Sequence, residues 1–206
     1  MDIGQWLSLA GICLLGAMSP GPSLAVVVNA ALQSGRNAGV IAAVCHGVAT
    51  GLYGLLTVTG LAVLIARSPA VFLAIQLAGA FYLIYLGVKS LRSQGSGALT
   101  AQAKTDNRGA AVSGFLVAFL NPKLAIFMLA LFAQFLRPDA DVVEKGIMAV
   151  TVGVVDGAWY CLMALLVSHP LFFERLRSNS RKIDRLFGVI LIALALTVLY
   201  RALAAA

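Results

Sequence analysis

The chain has 206 residues, of which 61% are hydrophobic and 11% are charged. Its mean hydropathy of +0.95 leaves too few polar residues to cover a water-soluble globule of this size. The composition therefore indicates an integral membrane protein. The net charge of +7 is interpreted as a determinant of membrane topology, and no nucleic-acid partner is expected.

Six apolar stretches are long enough to cross about 30 Å of hydrocarbon at about 1.5 Å per residue. They are residues 7–32, 40–66, 71–91, 110–136, 147–166 and 186–203. We expect the first to be retained, because no basic residue precedes it and its apolar run is longer than that of a signal peptide. The predicted fold class is all-α, a polytopic membrane protein with six transmembrane helices.

Prolines interrupt the first and fourth stretches at corresponding positions. A Ser-Pro-Gly-Pro sequence occupies residues 19–22, and an Asn-Pro-Lys sequence occupies residues 121–123. A proline within a helix removes one hydrogen bond and frees a carbonyl group one turn earlier. Interrupted helices at matching positions in two halves of a chain are typical of the midplane binding site of a secondary transporter.

Residues 93–108 have the composition of a linker, because polar and small residues replace the apolar runs there. This cytoplasmic linker divides a single transmembrane domain, residues 1–206, into three-span halves at 1–92 and 109–206. Three spans are an odd number, so the second half starts from the opposite side of the membrane. We therefore expect two inverted three-helix repeats, with helices one and four broken by proline.

Lysine and arginine are concentrated in the loops after spans one, three and five. Because basic loops stay in the cytoplasm, we expect both termini to lie outside it. Residues 171–186, after the fifth span, mix apolar and basic side chains. That segment suits either a basic loop or a short helix lying on the anionic cytoplasmic leaflet.

Two charged residues lie within the predicted spans. Placing a charged side chain near the centre of a membrane costs at least about 2.5 kcal/mol, so such a residue is expected to have a partner, a cavity or a function. Together the two suit the two ends of a small zwitterion. Lys123 directly follows a helix break and suits a carboxylate, although a buried ion pair with Asp156 is the alternative. Asp156 shares a helical face with Trp159 and Tyr160, which suits an amino group or a transferable proton. One intramembrane lysine and one deep carboxylate favour a zwitterionic substrate over a dibasic one.

His46 is the third ionisable residue within a span, and it begins a polar stripe that continues to Thr50. Its imidazole suits a proton relay, with a hydrogen-bonded packing role as the alternative. On the neighbouring face, Ala43, Gly47 and Gly51 form a series of small residues that permits close helix contact. That contact would lie within the bundle or between protomers of a homo-oligomer.

These motifs together resemble the LysE/RhtB family of amino-acid exporters, the lysine, threonine and homoserine exporters. The resemblance rests on Ser19, Pro20, Gly21 and Pro22 in span one, Gly79, Tyr82, Leu83, Tyr85, Leu86 and Gly87 in span three, Asn121, Pro122 and Lys123 in span four, and Asp156 and Trp159 in span five. It covers nearly the whole chain. It implies proton-driven efflux of amino acids or their derivatives across the bacterial inner (plasma) membrane, without a cofactor.

We therefore expect a secondary active transporter, embedded in membrane lipid, that exchanges a small-molecule amino-acid substrate for protons. The expected substrate-binding residues are Pro20, Gly21, Pro22, Asn121, Pro122, Lys123, Asp156, Trp159 and Tyr160, with Asp156 and His46 coupling transport to protons. The alternative is a channel or exporter for small ions or other small metabolites. An intramembrane hydrolase is not expected, because a paired-aspartate site needs two deep aspartates and the sequence has one. A metal site is not expected either, because the adjacent Cys45 and His46 point in different directions on a helix.

Overall fold

The computed structural model describes residues 1–19, 21–92, 106–137, 139–167 and 170–204. All of the regular secondary structure in this part of the chain is helical, which confirms the all-α prediction. The helices are α1 Ile3–Met18, α2 Pro22–Ser34, α3 Arg36–Arg67, α4 Pro69–Leu91, α5 Asn107–Phe119, α6 Pro122–Phe135, α7 Val142–Leu166 and α8 Pro170–Ala204. Pro20 and most of the expected linker, residues 93–105, lie outside the described residues.

Six membrane spans follow from the lengths and bends of these helices. Four of them, α3, α4, α7 and α8, are long and apolar enough to cross a membrane individually. The pairs α1/α2 and α5/α6 each pass the same test together, with bends of 62° and 52°. The prediction of six spans, with the first and fourth broken, is therefore confirmed. Apolar side chains such as Val48, Phe81 and Val154 are exposed on the outside of the bundle, where lipid would surround them.

The two helix breaks have the same local cause. Pro22 and Pro122 each occupy the first turn of the helix that follows the break, where a missing N–H costs nothing. Before α6, the Oδ1 atom of Asn121 accepts hydrogen bonds from the backbone N–H groups of Lys123, at 3.0 Å, and Leu124, at 3.4 Å. Before α2, Gly21 has no side chain to perform this capping. The amino end of α2 is therefore the more open of the two.

Glycines allow α3 and α7 to cross in very close contact. A Cβ atom placed on Gly47 would lie 2.7 Å from the Cα atom of Gly157, and one on Gly153 would lie 3.0 Å from the Cα atom of Gly51. The expected small-residue contact thus lies within the bundle. Because Gly47 faces Gly157 while Gly51 faces Gly153, the two helices run antiparallel. Such a crossing of corresponding helices is what an inverted repeat requires, and the repeat itself stays a prediction.

The segment at residues 171–186 is neither a loop nor a separate surface helix. It forms the first half of α8, which continues without interruption into the sixth span. Its Asp184 is only 4% exposed, and the Ser90 hydroxyl of α4 donates to the Asp184 carbonyl oxygen at 2.6 Å. The close approach of Gly87 and Gly188 brings α4 and α8 together one turn away. The basic composition of this segment concealed the burial of Asp184.

Candidate functional site

A histidine and an aspartate form a buried pair where α3 crosses α7. The Nδ1 atom of His46 lies 2.5 Å from the Oδ2 atom of Asp156. The Thr50 hydroxyl donates to the same oxygen at 3.2 Å. His46 and Asp156 are 1% and 6% exposed, respectively. The pair therefore has the composition of a site that holds or transfers a proton away from bulk water.

The His46 ring has an aromatic neighbour and, among the described residues, one nitrogen without a hydrogen-bond partner. Its ring meets that of Tyr160 edge-on, with centroids 4.7 Å apart, and a hydrogen bond joins the side chains of Tyr160 and Ser23. The Nε2 atom of His46 is buried and has no hydrogen-bond partner among the described residues. Buried polar nitrogens are normally paired, so this atom is the feature of the site that most needs a ligand, a water molecule or a proton acceptor.

An inner cavity of about 60 Å³ lies between the two helix breaks and this pair. Its polar lining comprises Ser19, Ser23, His46, Asn121, Lys123, Asp156 and Tyr160, and Gly21 and Pro22 form part of its wall. The open amino end of α2 thus faces the cavity, and helix amino ends attract anions. A volume of this size holds a few water molecules and no amino acid.

A second, larger cavity adjoins the first. This vestibule has a volume of about 820 Å³, within the range of small-molecule sites, and lies at the carboxyl end of α4. Lys89, Arg92 and Asp184 contribute charges to its wall, and Pro122 also lines it. The residues lining both cavities are Ser19, Lys123 and Phe187. They mark the passage from the vestibule to the inner cavity.

The charges around Lys123 differ from the sequence expectation in two respects. Asp156 is paired with His46, so the alternative in which Lys123 forms an ion pair with Asp156 is wrong. Among the described residues, no carboxylate lies within ion-pair distance of the Lys123 ammonium. Asp156 is also not the single deep carboxylate, because Asp184 is equally buried and acts electrostatically on Lys123.

Most of the predicted site residues come together around the two cavities. Those lining the inner cavity are Gly21, Pro22, Asn121, Lys123, His46, Asp156 and Tyr160. Pro122 lines the vestibule instead, and Pro20 lies outside the described residues. Trp159 lines neither cavity and packs against the apolar cluster that contains Val27 and Met163. Its position one turn from Asp156 is therefore not sufficient to bring it to the site.

Several residues at the cavities lie outside the candidate set derived from the sequence, among them Cys13, Phe187 and Asp184. Cys13 and Phe187 are apolar-type residues in apolar spans, and nothing in the sequence distinguishes them from packing residues. The sequence around Asp184 does contain an indication of burial, because Asp184 stands next to Ile183 and three residues before Phe187. On a continuous helix, that spacing places the carboxylate on the same face as a buried aromatic ring.

Comparison with known proteins identifies the family. The model of the LysE type translocator family matches residues 14–202. The homoserine/homoserine lactone efflux protein of Salmonella typhimurium (strain LT2) is 31% identical over 76% of this chain and 77% of its own length. Its counterpart in Salmonella typhi is 33% identical over the same shares.

A membrane protein of Vibrio cholerae described as uncharacterized is 25% identical over 91% of this chain and 93% of its own length. No solved structure matches the chain. The family match covers nearly all of the sequence, including both helix breaks and the His46–Asp156 pair. The chain therefore belongs to the LysE type translocator family, and it is a membrane transport protein rather than an enzyme.

Proposed function

We propose that this protein is a secondary active transporter that exports amino acids or their derivatives from the cytoplasm in exchange for protons. The observation that carries the proposal is the buried His46–Asp156 pair, which ends a cavity reached from a charged vestibule. Most basic residues of the loops lie at the vestibule end of the spans, which supports a cytoplasmic vestibule in the bacterial inner membrane.

The His46–Asp156 pair has the chemistry of a proton-coupling site. A ring nitrogen of His46 pairs with the carboxylate, and we assign proton exchange to the unit that the two side chains form on the inner cavity. A proton bound there adds positive charge to the inner cavity, which Lys123 also lines. Proton binding and substrate binding then alter each other's free energy, and antiport requires that each weakens the other.

The charges of the passage suit a substrate with a carboxylate. Lys123 and the open amino end of α2 both attract an anion, and they line the same cavity. The two Salmonella relatives are described as exporters of homoserine and its lactone. Homoserine is an α-amino acid of a size that the vestibule admits, and it is therefore the first substrate to test.

Counterflow in proteoliposomes tests the function directly. Purified protein is reconstituted, the vesicles are loaded with unlabelled homoserine, and uptake of labelled homoserine is followed with and without an imposed pH gradient. We expect transient accumulation that responds to the gradient. His46→Gln should retain counterflow and lose most of the gradient response, because glutamine fills the site and does not titrate.

Empty vesicles and a panel of other labelled amino acids serve as controls. A channel conducts its substrate without counterflow, so equilibration without transient accumulation would contradict the antiport mechanism. An unchanged gradient response in His46→Gln would instead remove His46 from the coupling site while leaving the transport function intact.

A further inference from the structure

The passage between the vestibule and the inner cavity carries charges of both signs. Lys123 lines both cavities, and Asp184 lines the vestibule beside it. Ser19 links the two, because it lines both cavities and its hydroxyl donates to the Oδ1 atom of Asp184 at 3.3 Å. A cation from α6 and an anion from α8 thus flank one opening.

We propose that Asp184 is the residue that binds the ammonium group of the substrate, with Lys123 binding its carboxylate across the same passage. The inference rests on the proposed export of amino acids and deepens it, because it assigns the recognition of the two substrate charges to two named residues. Asp156, in contrast, keeps its proton function only.

The cavities on which they lie separate the two carboxylates. Asp156 is paired with His46, accepts a hydrogen bond from Thr50 and lies on the inner cavity, whose volume of about 60 Å³ is too small for an amino acid. Asp184 lies on the vestibule of about 820 Å³, where a substrate has room. An ammonium group therefore reaches Asp184 first.

The burial of Asp184 gives the interaction its strength. The residue is 4% exposed, within a helix whose apolar part crosses the membrane. A carboxylate with so little water around it attracts a cation much more strongly than a surface carboxylate does. Phe187, three residues later on the same face, adds an apolar wall against which the carbon chain of the substrate would lie.

Substrate analogues that lack one charge test the assignment. Homoserine has both charges, its methyl ester lacks the carboxylate, and N-acetylhomoserine lacks the ammonium group. In proteoliposomes, Asp184→Asn should raise the KM for homoserine about tenfold and leave the response to the pH gradient intact. Asp184→Glu, which keeps the charge, should restore most of the affinity.

The analogues should separate the two residues further. Competition by the methyl ester should weaken about tenfold in Asp184→Asn and change little in Lys123→Ala, whereas N-acetylhomoserine should show the reverse. Asp139→Asn, which neutralises an exposed carboxylate far from both cavities, is the matched control and should behave like the wild type.

Two results would overturn the assignment and are distinguishable from failure of the transport function. If the wild type exchanges homoserine and Asp184→Asn exchanges it with an unchanged KM, Asp184 does not bind the ammonium group. If Asp184→Asn lowers the melting temperature and all competitors weaken equally, the residue is structural. Absence of exchange of every amino acid by the wild type would overturn the transport proposal and this inference together.

Discussion

Asp156 and Asp184 are both buried carboxylates near the broken helices, yet their surroundings differ. Asp156 lies beside an imidazole and a threonine hydroxyl on a cavity of water-molecule size. Asp184 lies beside a serine hydroxyl, within the field of a lysine, on a cavity of amino-acid size. We therefore propose different uses for the same functional group, a proton site in one position and a substrate site in the other.

We infer these uses from the neighbours of each buried carboxylate and not from its depth. A histidine can take up or release a proton near neutral pH, so a carboxylate paired with it belongs to a titrating unit. Lys123 lines the same passage as Asp184, so that carboxylate is part of an arrangement of opposite charges. Variants that affect one site and spare the other test this separation.

Asp156→Asn should have the largest effect. Removing the acidic partner of His46 breaks a buried, hydrogen-bonded pair, which in other proteins costs about 3–5 kcal/mol. We expect gradient-driven accumulation of homoserine to fall about 100-fold, while the protein still inserts and binds homoserine. Uptake into proteoliposomes at several external pH values measures this effect.

Asp106→Asn is the control for this variant, because asparagine caps a helix as well as aspartate does and Asp106 stands at the start of α5. Transport by Asp156→Asn with the pH dependence of the wild type would place proton coupling elsewhere.

Gly47→Ala should have the second-largest effect, since the added methyl group would lie 2.7 Å from the Cα atom of Gly157. Overpacking of this kind typically costs about 1–3 kcal/mol. The gradient response should fall more than the affinity for homoserine, because the helices that separate are those that carry His46 and Asp156. Thermal unfolding in detergent and the KM for homoserine together measure this.

Gly60→Ala provides the comparison on the same helix, because a Cβ atom there would meet nothing within 4 Å. This variant should unfold at the wild-type temperature or slightly above it, since alanine favours a helix more than glycine does. Equal effects of the two alanines would show that close helix contact is unimportant.

Thr50→Val and Ser19→Ala remove one hydroxyl donor from Asp156 and Asp184, respectively. Each lost hydrogen bond to a carboxylate is worth about 1 kcal/mol or somewhat more, or about fivefold in the affected quantity. Thr50→Val should reduce the gradient response, and Ser19→Ala should raise the KM for homoserine. The two-site separation fails if both variants change the same quantity.

Arg137→Gln should have the smallest effect, and it concerns neither site. Arg137 Nη2 lies 3.1 Å from Glu144 Oε2 between α6 and α7, and this hydrogen bond raises the pKa of the guanidinium further above its ordinary value. A raised pKa means that the contribution of Arg137 is fully present below the unfolded-state pKa and is lost only in strongly alkaline solution.

Arg137 stays protonated between about pH 5 and pH 8. Its titration should therefore leave the difference in stability between Arg137→Gln and the wild type unchanged over this range. The melting temperature should fall by about 2 °C or less, because Arg137 is nearly half exposed and Glu144 keeps the amino terminus of the chain as a second partner. A change in homoserine KM or in the gradient response would show that this end of the bundle affects the transport sites.

The sequence predicted the spans and breaks well, because these depend on local properties. Apolar length identifies a span, and a proline at residue 22 or 122 ends a helix whatever surrounds it. Lys123 and Asp156 were also recognisable, since a charge within an apolar run is unusual. All of these signals lie within a few residues of one another along the chain.

The pairing of charges was not predictable, because it depends on how helices distant in sequence cross. His46 and Asp156 are separated by 110 residues, and only the glycine contact of α3 with α7 decides that they meet. Asp184 was missed for a different reason. It stands beside Arg185 in a basic segment, and a sequence cannot show that such a segment continues a helix whose inner face is buried.

The glycine crossing also limits how the protein can change shape. Backbone atoms of α3 and α7 meet at Gly47 and Gly157 with no side chains between them, so sliding one helix past the other would force their backbones to collide. These two helices should therefore behave as a rigid frame. We therefore expect that the half-helices on either side of the breaks tilt when the site opens toward the other face of the membrane, because they are short.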